Sequence, residues 1–244
     1  MTRVVASELL KLHTTRSFWG LVGASLGLVA LAVVLPLAIE DDFADETDVR
    51  SVLSSAGLAG IIALILGVVY SAGEYRHGTI AWTLLVNPVR LRVASGQAIA
   101  CALAGAAVAA VAAGFTAVVA LPWLAAKDAA SLSGGEVLGI FLGGVLYGAL
   151  AGAFGAGLGA LLRNQVAAVV LVLVVLFIVD PALVAVFDGY DRFSLSGLGT
   201  SITGGSEEDL EADLFPVWSA TLVWAGYTAV LVGAAALLTS RRDI

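Results

Sequence analysis

The sequence predicts an all-α integral membrane protein with six transmembrane helices, and three observations support this fold class. Of the 244 residues, 60% are hydrophobic and 13% are charged, whereas soluble domains average roughly 45–50% apolar and about 25% charged residues. Six stretches reach the length of about 20 mostly apolar residues that a helix needs to cross a bilayer. Runs such as residues 166–179 do not alternate apolar with polar residues, as strands of a membrane barrel would.

The six apolar stretches define the expected spans: residues 18–39, 52–72, 93–121, 137–162, 166–187 and 217–238. The first is longer than the apolar region of a signal peptide, and acidic residues follow it instead of a small-residue cleavage site. We therefore expect it to be retained as a helix. The chain is interpreted as one membrane domain, residues 1–244, with a surface segment (1–17), a cytoplasmic loop (73–92) and an outer loop (188–216).

The positive charges predict the orientation. Lys and Arg collect in cytoplasmic loops of membrane proteins. With the N-terminus inside, nine of the 12 basic residues fall on the inner side. Both termini are then cytoplasmic, and we expect the plasma (cytoplasmic) membrane as the location. The inner set is Arg3, Lys11, Arg16, Arg76, Arg90, Arg92, Arg163, Arg241 and Arg242, and the outer set is Arg50, Lys127 and Arg192.

The segment before the first span has an apolar face. Val5, Leu9 and Leu12 are spaced as on one side of a helix, while Glu8 and Lys11 point elsewhere. This spacing indicates a short amphipathic helix on the membrane surface, with a basic disordered flank as the alternative.

The first outer loop, residues 40–50, is acidic and carries six carboxylates. They lack the glycine and terminal glutamate of an EF-hand, so a solvated loop is the preferred interpretation.

The cytoplasmic loop contains a second short helix. Its apolar part, residues 80–86, is too short to cross a bilayer. The helix should stop at Asn87-Pro88, since the residue before proline disfavours the α conformation. This segment is expected to be interfacial.

Two further spans carry helix-packing signals. Gly144, Gly148 and Gly152 recur every four residues in the fourth span, which allows close approach of helix backbones. Packing within the chain is favoured over a dimer seam. In the fifth span Asp180-Pro181 should kink or end the helix, so the chain is expected to turn back through residues 182–187 near the outer surface.

Motifs for catalysis are weak or missing. The G-x-S-x-G pattern around Ser25 lies in the middle of a helix, and His13 and His77 are both too far away to serve it. The sequence has neither a P-loop nor a zinc motif. We expect no catalytic, cofactor-binding or metal-binding residues. Because the central parts of the spans lack ionisable residues, a proton-coupled carrier is disfavoured.

Three segments carry a resemblance to a known family. The opening reads Glu8-Leu9-x-Lys11-Leu12-x-Thr14-Thr15-Arg16, followed by Phe18-Trp19, and the chain closes on Arg241-Arg242-Asp243-Ile244. The second span is followed by Glu74-x-Arg76-His77-Gly78-Thr79 and then by Leu84-Leu85-x-x-Pro88-x-Arg90. These segments and the six-helix topology resemble the type 2 ABC transporter permeases.

The resemblance implies a permease that pairs with a second permease copy and docks on two ABC ATPase subunits, which alone bind Mg-ATP. The loop would couple to the ATPase, with Glu74 and Arg76 making charged contacts and Gly78 a tight bend; the coupling set is Glu74, Tyr75, Arg76, His77, Gly78 and Thr79. Asp180 and Pro181 would belong to an outer gate. The expected substrate is a hydrophobic or amphipathic drug, antibiotic or lipid, and the expected partners include membrane lipid but no nucleic acid.

The sequence leaves two alternatives open, a membrane scaffold or immunity protein that transports nothing and a secondary carrier. The identity of the substrate and the choice between a homodimer and a heterodimer are not readable from it.

Overall fold

The computed structural model describes residues 1–40, 43–205 and 214–241, and these ranges form helices and connecting turns without a strand. Eleven α-helices lie in them: α1 (Thr2–Thr14), α2 (Arg16–Ile39), α3 (Glu46–Ser54), α4 (Ala59–Arg76), α5 (Thr79–Val86), α6 (Arg90–Ala126), α7 (Gly134–Leu162), α8 (Gln165–Val174), α9 (Asp180–Val186), α10 (Leu195–Thr203) and α11 (Val217–Arg241). Two 3-10 turns, Ser55–Leu58 and Asp191–Phe193, and one π turn, Val175–Val179, connect some of them.

Six of the helical segments are long and apolar enough to cross a membrane, which confirms the expected all-α class and the expected number of such helices. They are Arg16–Ile39, Glu46–Arg76, Arg90–Ala126, Gly134–Leu162, Gln165–Val186 and Val217–Leu238. The protein is therefore a multi-pass membrane protein. The second segment combines α3, the first 3-10 turn and α4, and the fifth combines α8, the π turn and α9.

Helix α7 occupies the centre of the bundle and packs against α4, α6 and α11. Its glycines face neighbouring backbones: Gly148 lies against Gly105 of α6, Gly152 against Cys101 of α6, and Gly155 against Leu64 of α4. A Cβ at Gly148 would stand 2.6 Å from the Cβ of Ala109. The glycine row therefore lies inside the chain, although Gly144 itself has more space around it.

The N-terminal segment is helical, but its buried face differs from the expected one. Val4, Glu8 and Leu12 are buried, whereas Val5 and Leu9 are only partly covered. Glu8 thus points into the bundle and not toward the polar side.

Two expectations about the outer segments are corrected. Residues 46–50 do not belong to a loop, because they form the start of α3; Asp41 and Asp42 lie outside the described residues. The chain also does not break at Asp180-Pro181. Val179 and Asp180 both keep right-handed helical angles, and α9 continues to Val186. The π turn Val175–Val179 ends two residues before Pro181. Its wider hydrogen-bond spacing removes the clash that a proline ring makes with the preceding turn of an α-helix.

The outer segment 188–216 is partly helical. Helix α10 packs into the bundle through Leu198 and Ile202, which are fully buried. Five acidic residues of this segment lie outside the described part of the chain: Glu207, Glu208, Asp209, Glu211 and Asp213.

The two ends of the bundle differ in charge. We call the end that carries α1, α5 and the turn between α7 and α8 the basic end, and the opposite end, with α3 and α10, the distal end. At the basic end Arg163 lies over the ring of Tyr75, 5.1 Å from its centroid, and Arg76 donates to Gln165 Oε1 at 3.3 Å. At the distal end Arg50 pairs with Glu136 at 3.0 Å. The basic residues of the expected inner set that the structure describes collect at the basic end.

Candidate functional site

A buried group of polar side chains joins three helices at the basic end. We call it the polar cluster; its members are Glu8 and Lys11 of α1, Tyr70 and Glu74 of α4, and Gln97 of α6. Glu8 is 1% exposed, Glu74 5% and Gln97 2%. Charged side chains are almost never buried to this degree unless they are paired, so the cluster requires an internal partner for each charge.

Lys11 supplies that partner. Its Nζ lies 2.6 Å from Glu8 Oε1 and 2.7 Å from Glu74 Oε1, so one ammonium bridges two carboxylates on different helices. The same Nζ donates to Thr83 Oγ1 of α5 at 3.4 Å. Lys11 therefore links α1 to both α4 and α5.

The remaining carboxylate oxygens are also satisfied. The Tyr70 hydroxyl donates to Glu8 Oε2 at 2.7 Å and lies 3.2 Å from the Glu8 carbonyl oxygen. Gln97 Nε2 donates to Glu74 Oε2, and Ser71 Oγ donates to Gln97 Oε1 at 3.4 Å. A fully bonded buried network of this kind fixes one arrangement of the helices that contribute to it.

The charge state of Lys11 follows from opposing effects. Burial lowers the pKa of its ammonium, but the hydrogen bonds to Glu74 and Glu8, together with their negative charges, raise it more, so the net pKa lies above the usual 10.5. Lys11 is therefore protonated at neutral pH. The cluster holds two carboxyl groups and one ammonium, so it contains one more acidic group than basic groups.

The predicted coupling residues separate into an inward and an outward group. Glu74 points into the cluster, so its carboxylate is not at the surface where the resemblance had placed a charged contact. Thr79 Oγ1 donates to the Glu74 carbonyl oxygen at 3.3 Å and so connects α5 to the end of α4. Tyr75 is partly buried beneath Arg163.

The outward group consists of Arg76 and His77, which are both exposed. Gly78 follows them with a φ of +68°, a left-handed conformation that glycine adopts without a steric penalty. This residue turns the chain from α4 into α5. The expected tight bend is therefore present, and α5, which follows it, lies at the margin of the bundle.

Helix α5 exposes apolar side chains at the basic end. Trp82 is 74% exposed and Leu85 75%, while Ile80 on the other side of the helix is buried. The short helix thus has one face fixed to the bundle and one face available to lipid or to another protein.

A cavity of about 410 Å³ adjoins the polar cluster between the α1–α2 junction and α4. Lys11, Glu74 and His77 line its polar part, and Phe18 and Leu21 belong to its apolar wall. Such a lining suits an amphipathic molecule.

The outer-gate residues lie at the distal end. Asp180 is 2% exposed, and its carboxylate accepts from the backbone N–H groups of Leu195 at 3.1 Å and Ser196 at 2.9 Å. Ser196 Oγ donates to it at 2.6 Å and the Tyr190 hydroxyl at 3.4 Å. Asp180 therefore binds the N-terminus of α10, where a negative charge is favourable. Pro181 lies in the first turn of α9.

Sequence reasoning missed Tyr70 and Gln97 and placed Glu8 on the wrong face. One available signal was the polar Gln97 within the apolar start of α6. Another was the spacing of Val4, Glu8 and Leu12, which puts Glu8 on an apolar helix face. Among the described residues no group of three or more His, Cys, Asp or Glu side chains could hold a metal ion.

Comparison of the chain with protein-family models and with curated protein sequences gives no match. The resemblance to type 2 ABC permeases therefore rests on the motifs of the chain itself.

Proposed function

We propose that the chain is the membrane-spanning permease subunit of an ABC exporter. It moves a hydrophobic or amphipathic substrate outward, and a separate ATPase subunit hydrolyses the ATP. The observation that carries the proposal is the bridge from Lys11 to Glu8 and Glu74, because it joins the two motif segments of the resemblance through buried ion pairs.

This bridge offers a mechanical route for coupling. Helix α5 is connected to α4 through Gly78 and Thr79, and to α1 through the contact between Lys11 and Thr83. A force on α5 would thus reach α1 and α4 together, and Gln97 would pass it to α6. In this proposal Glu74 acts inside the protein as a connector, and the ATPase contacts other residues.

The contact surface for the ATPase is the outer face of α5 with its charged margin. Trp82 and Leu85 provide apolar area, and large aromatic side chains commonly dominate the energy of protein interfaces. Arg76 and His77 supply the polar margin. The basic end then faces the cytoplasm, in agreement with the rule for positive charges, and a second permease copy completes the transport path.

Alternating access would follow from these connections. Closure of the ATPase subunits moves α5 and, through the polar cluster, the inner ends of α1, α4 and α6. The amphipathic cavity beside Phe18 and Leu21 would admit the substrate, and the Asp180-linked helix α10 would act at the opposite side as part of the outer gate.

The test is purification of the tagged chain from its own membranes, followed by measurement of Mg-ATP hydrolysis in the eluate. Trp82→Ala should reduce the retained ATPase by about tenfold or more, as expected for loss of an interface anchor. Glu74→Gln should retain the ATPase but lose its coupling to substrate. Trp218→Ala is the matched control, because Trp218 is 69% exposed but lies at the distal end. Equal ATPase activity with all three variants, or no ATPase with the wild type, contradicts the proposal.

A secondary carrier is the second candidate, and the polar cluster is the observation that favours it. The polar cluster contains two carboxyl groups but one basic group. Buried ionisable residues in membrane proteins often carry protons or ions. Reconstituted protein that transports substrate in response to a pH gradient without ATP would favour the carrier over the exporter.

A further inference from the structure

A second cavity at the distal end has a different lining. Its volume is about 410 Å³, and it lies between the 3-10 turn Ser55–Leu58, the π turn of the fifth span and α10. Among the described residues that line it, seven carry a hydroxyl group and none carries a charge. The chemistry of this distal cavity is therefore that of neutral hydrogen bonds.

Tyr147 is the central residue of the distal cavity. It is 7% exposed, and two glycines make room for its ring. A Cβ at Gly199 of α10 would lie 3.2 Å from ring atoms, and a Cβ at Gly60 of α4 would overlap the ring. Trp224 packs edge-on against it at 5.3 Å. The position of the ring is thus fixed from three sides.

The hydroxyl of Tyr147 is accessible from the cavity and makes no hydrogen bond to another residue in the described ranges. A hydroxyl group on the wall of a cavity is stabilised by a hydrogen bond to whatever occupies the cavity, whether water or a ligand. A molecule in the cavity would supply that hydrogen bond.

The other hydroxyls present acceptors to the cavity. Ser54, Ser55, Thr200 and Thr203 each donate to a backbone carbonyl oxygen of their own chain segment, at 3.0 to 3.1 Å. Ser196 donates to Asp180. A hydroxyl whose hydrogen is used in this way can still accept through its lone pairs. The lining therefore offers several acceptors and two free donor groups, the hydroxyls of Tyr147 and Ser51.

This pattern selects against charged ligands. An anion would need several donors or a cation, whereas the described part of the lining offers two free hydroxyl donors and no cation. A cation would need a carboxylate, and Asp180, the carboxylate to which the lining residue Ser196 donates, is buried and bonded to α10. The ligand that fits has uncharged donors, such as hydroxyl or amide groups.

An apolar wall completes the distal cavity. Leu58, Ile61, Leu176 and Phe177 belong to it, and the ring of Phe177 is 64% exposed. The wall can receive the apolar body of a ligand whose polar head faces the hydroxyl groups. Aromatic rings in such positions also pack against the apolar faces of sugars.

We infer that the distal cavity binds an uncharged amphiphile with a hydroxyl-rich head, of the alkyl glycoside class. The further claim that this amphiphile is the transported substrate rests on the proposed export function. In that case the distal cavity lies on the outward side of the transport path. Binding itself requires neither ATP nor a partner subunit.

The experiment uses the full chain in phosphatidylcholine nanodiscs without ATP. The probe is an alkyl glucoside with a photoreactive diazirine in its alkyl chain, and two matched probes carry phosphocholine or trimethylammonium heads on the same chain. The glucoside should label the peptides that contain Ile61 and Phe177, and unlabelled alkyl glucoside should compete.

Two tyrosine variants separate binding from packing. Tyr147→Phe keeps the ring but removes the unpaired hydroxyl, and labelling by the glucoside should fall about tenfold, as for one lost hydrogen bond in a buried site. Tyr227→Phe is the control, because the Tyr227 hydroxyl donates to the Phe193 carbonyl oxygen away from the cavity. Ile61→Trp, which fills the cavity, should also reduce labelling.

Equal labelling by the three probes, or equal labelling of wild type and Tyr147→Phe, overturns the inference. These results would leave the retention of ATPase by α5 unaffected. Conversely, selective labelling that depends on Tyr147 supports the site even if no ATPase is retained, so the two proposals fail separately.

Discussion

The basic end and the distal end both bury carboxylates, but they stabilise them differently. At the basic end two carboxylates on α1 and α4 share the single ammonium of Lys11. At the distal end Asp180 is stabilised by backbone N–H groups and hydroxyls of one neighbouring segment. The basic end therefore depends on long-range ion pairs between helices, whereas the distal end uses a local helix cap. We therefore expect the structural effect of a single substitution to reach more helices at the basic end than at the distal end.

The largest effect is expected for Lys11→Met, which leaves Glu8 and Glu74 without their cation. Breaking a buried ion pair costs about 3–5 kcal/mol. We expect the free energy of unfolding to fall by about 3 kcal/mol. This is the lower end of the range, because the Lys11 side chain is 38% exposed and its charge is partly screened by water. Denaturant unfolding in detergent measures it. Arg92→Met, at an exposed position of the same end, is the control and should unfold like the wild type.

The distal counterpart is Asp180→Ala. It removes the acceptor for two backbone N–H groups and two hydroxyls, and we expect the free energy of unfolding to fall by about 2 kcal/mol. Asp180→Asn keeps one acceptor oxygen and should lose less. Limited proteolysis between α9 and α10 would show whether the damage is local. Simultaneous loosening of α1 would contradict the proposed difference between the ends.

A smaller effect is expected for Tyr70→Phe, which removes one donor from Glu8 but leaves the bridge by Lys11 intact. The expected loss is about 1 kcal/mol, typical of a single hydrogen bond. The double variant with Lys11→Met should deviate from additivity, since both side chains bond the same carboxylate. Strict additivity would show that the polar cluster does not act as a unit.

The smallest effect is expected at the distal surface. Arg50→Gln breaks the ion pair with Glu136, which is exposed and therefore contributes little to stability. Its unfolding midpoint should equal that of the wild type at both low and high salt. A clear drop at low salt alone would show that this ion pair contributes to stability.

The sequence was sufficient to predict the apolar helices but not the polar cluster. Continuous apolar runs determine where helices can cross a bilayer, so their number could be read directly. Lys11 and Glu74, by contrast, are 63 positions apart, and nothing in the periodicity of either segment indicates that they meet. Two apolar faces are compatible with the pattern of α1, one with Val5 and Leu9 and one with Val4 and Leu12, and tertiary packing decides that Glu8 lies on the buried one.

The signals at proline and glycine were partly informative. Asp180-Pro181 correctly marked an irregular part of the fifth span, but the π turn before it preserved the helix. The glycine row of the fourth span indicated close packing. It could not indicate that the partners are α6 and α4, since the choice of partner depends on the whole bundle.

The backbone contacts of α7 have a consequence for motion within the bundle. Where Gly148 and Gly155 meet α6 and α4, their nearest neighbours are backbone atoms and the methyl group of Ala109. None of these groups can change rotamer to let one helix slide along another. These three helices should therefore behave as one rigid body. Spin labels placed on α4 and α7 would keep a constant separation through a transport cycle, while labels on α2 and α7 would report any relative displacement.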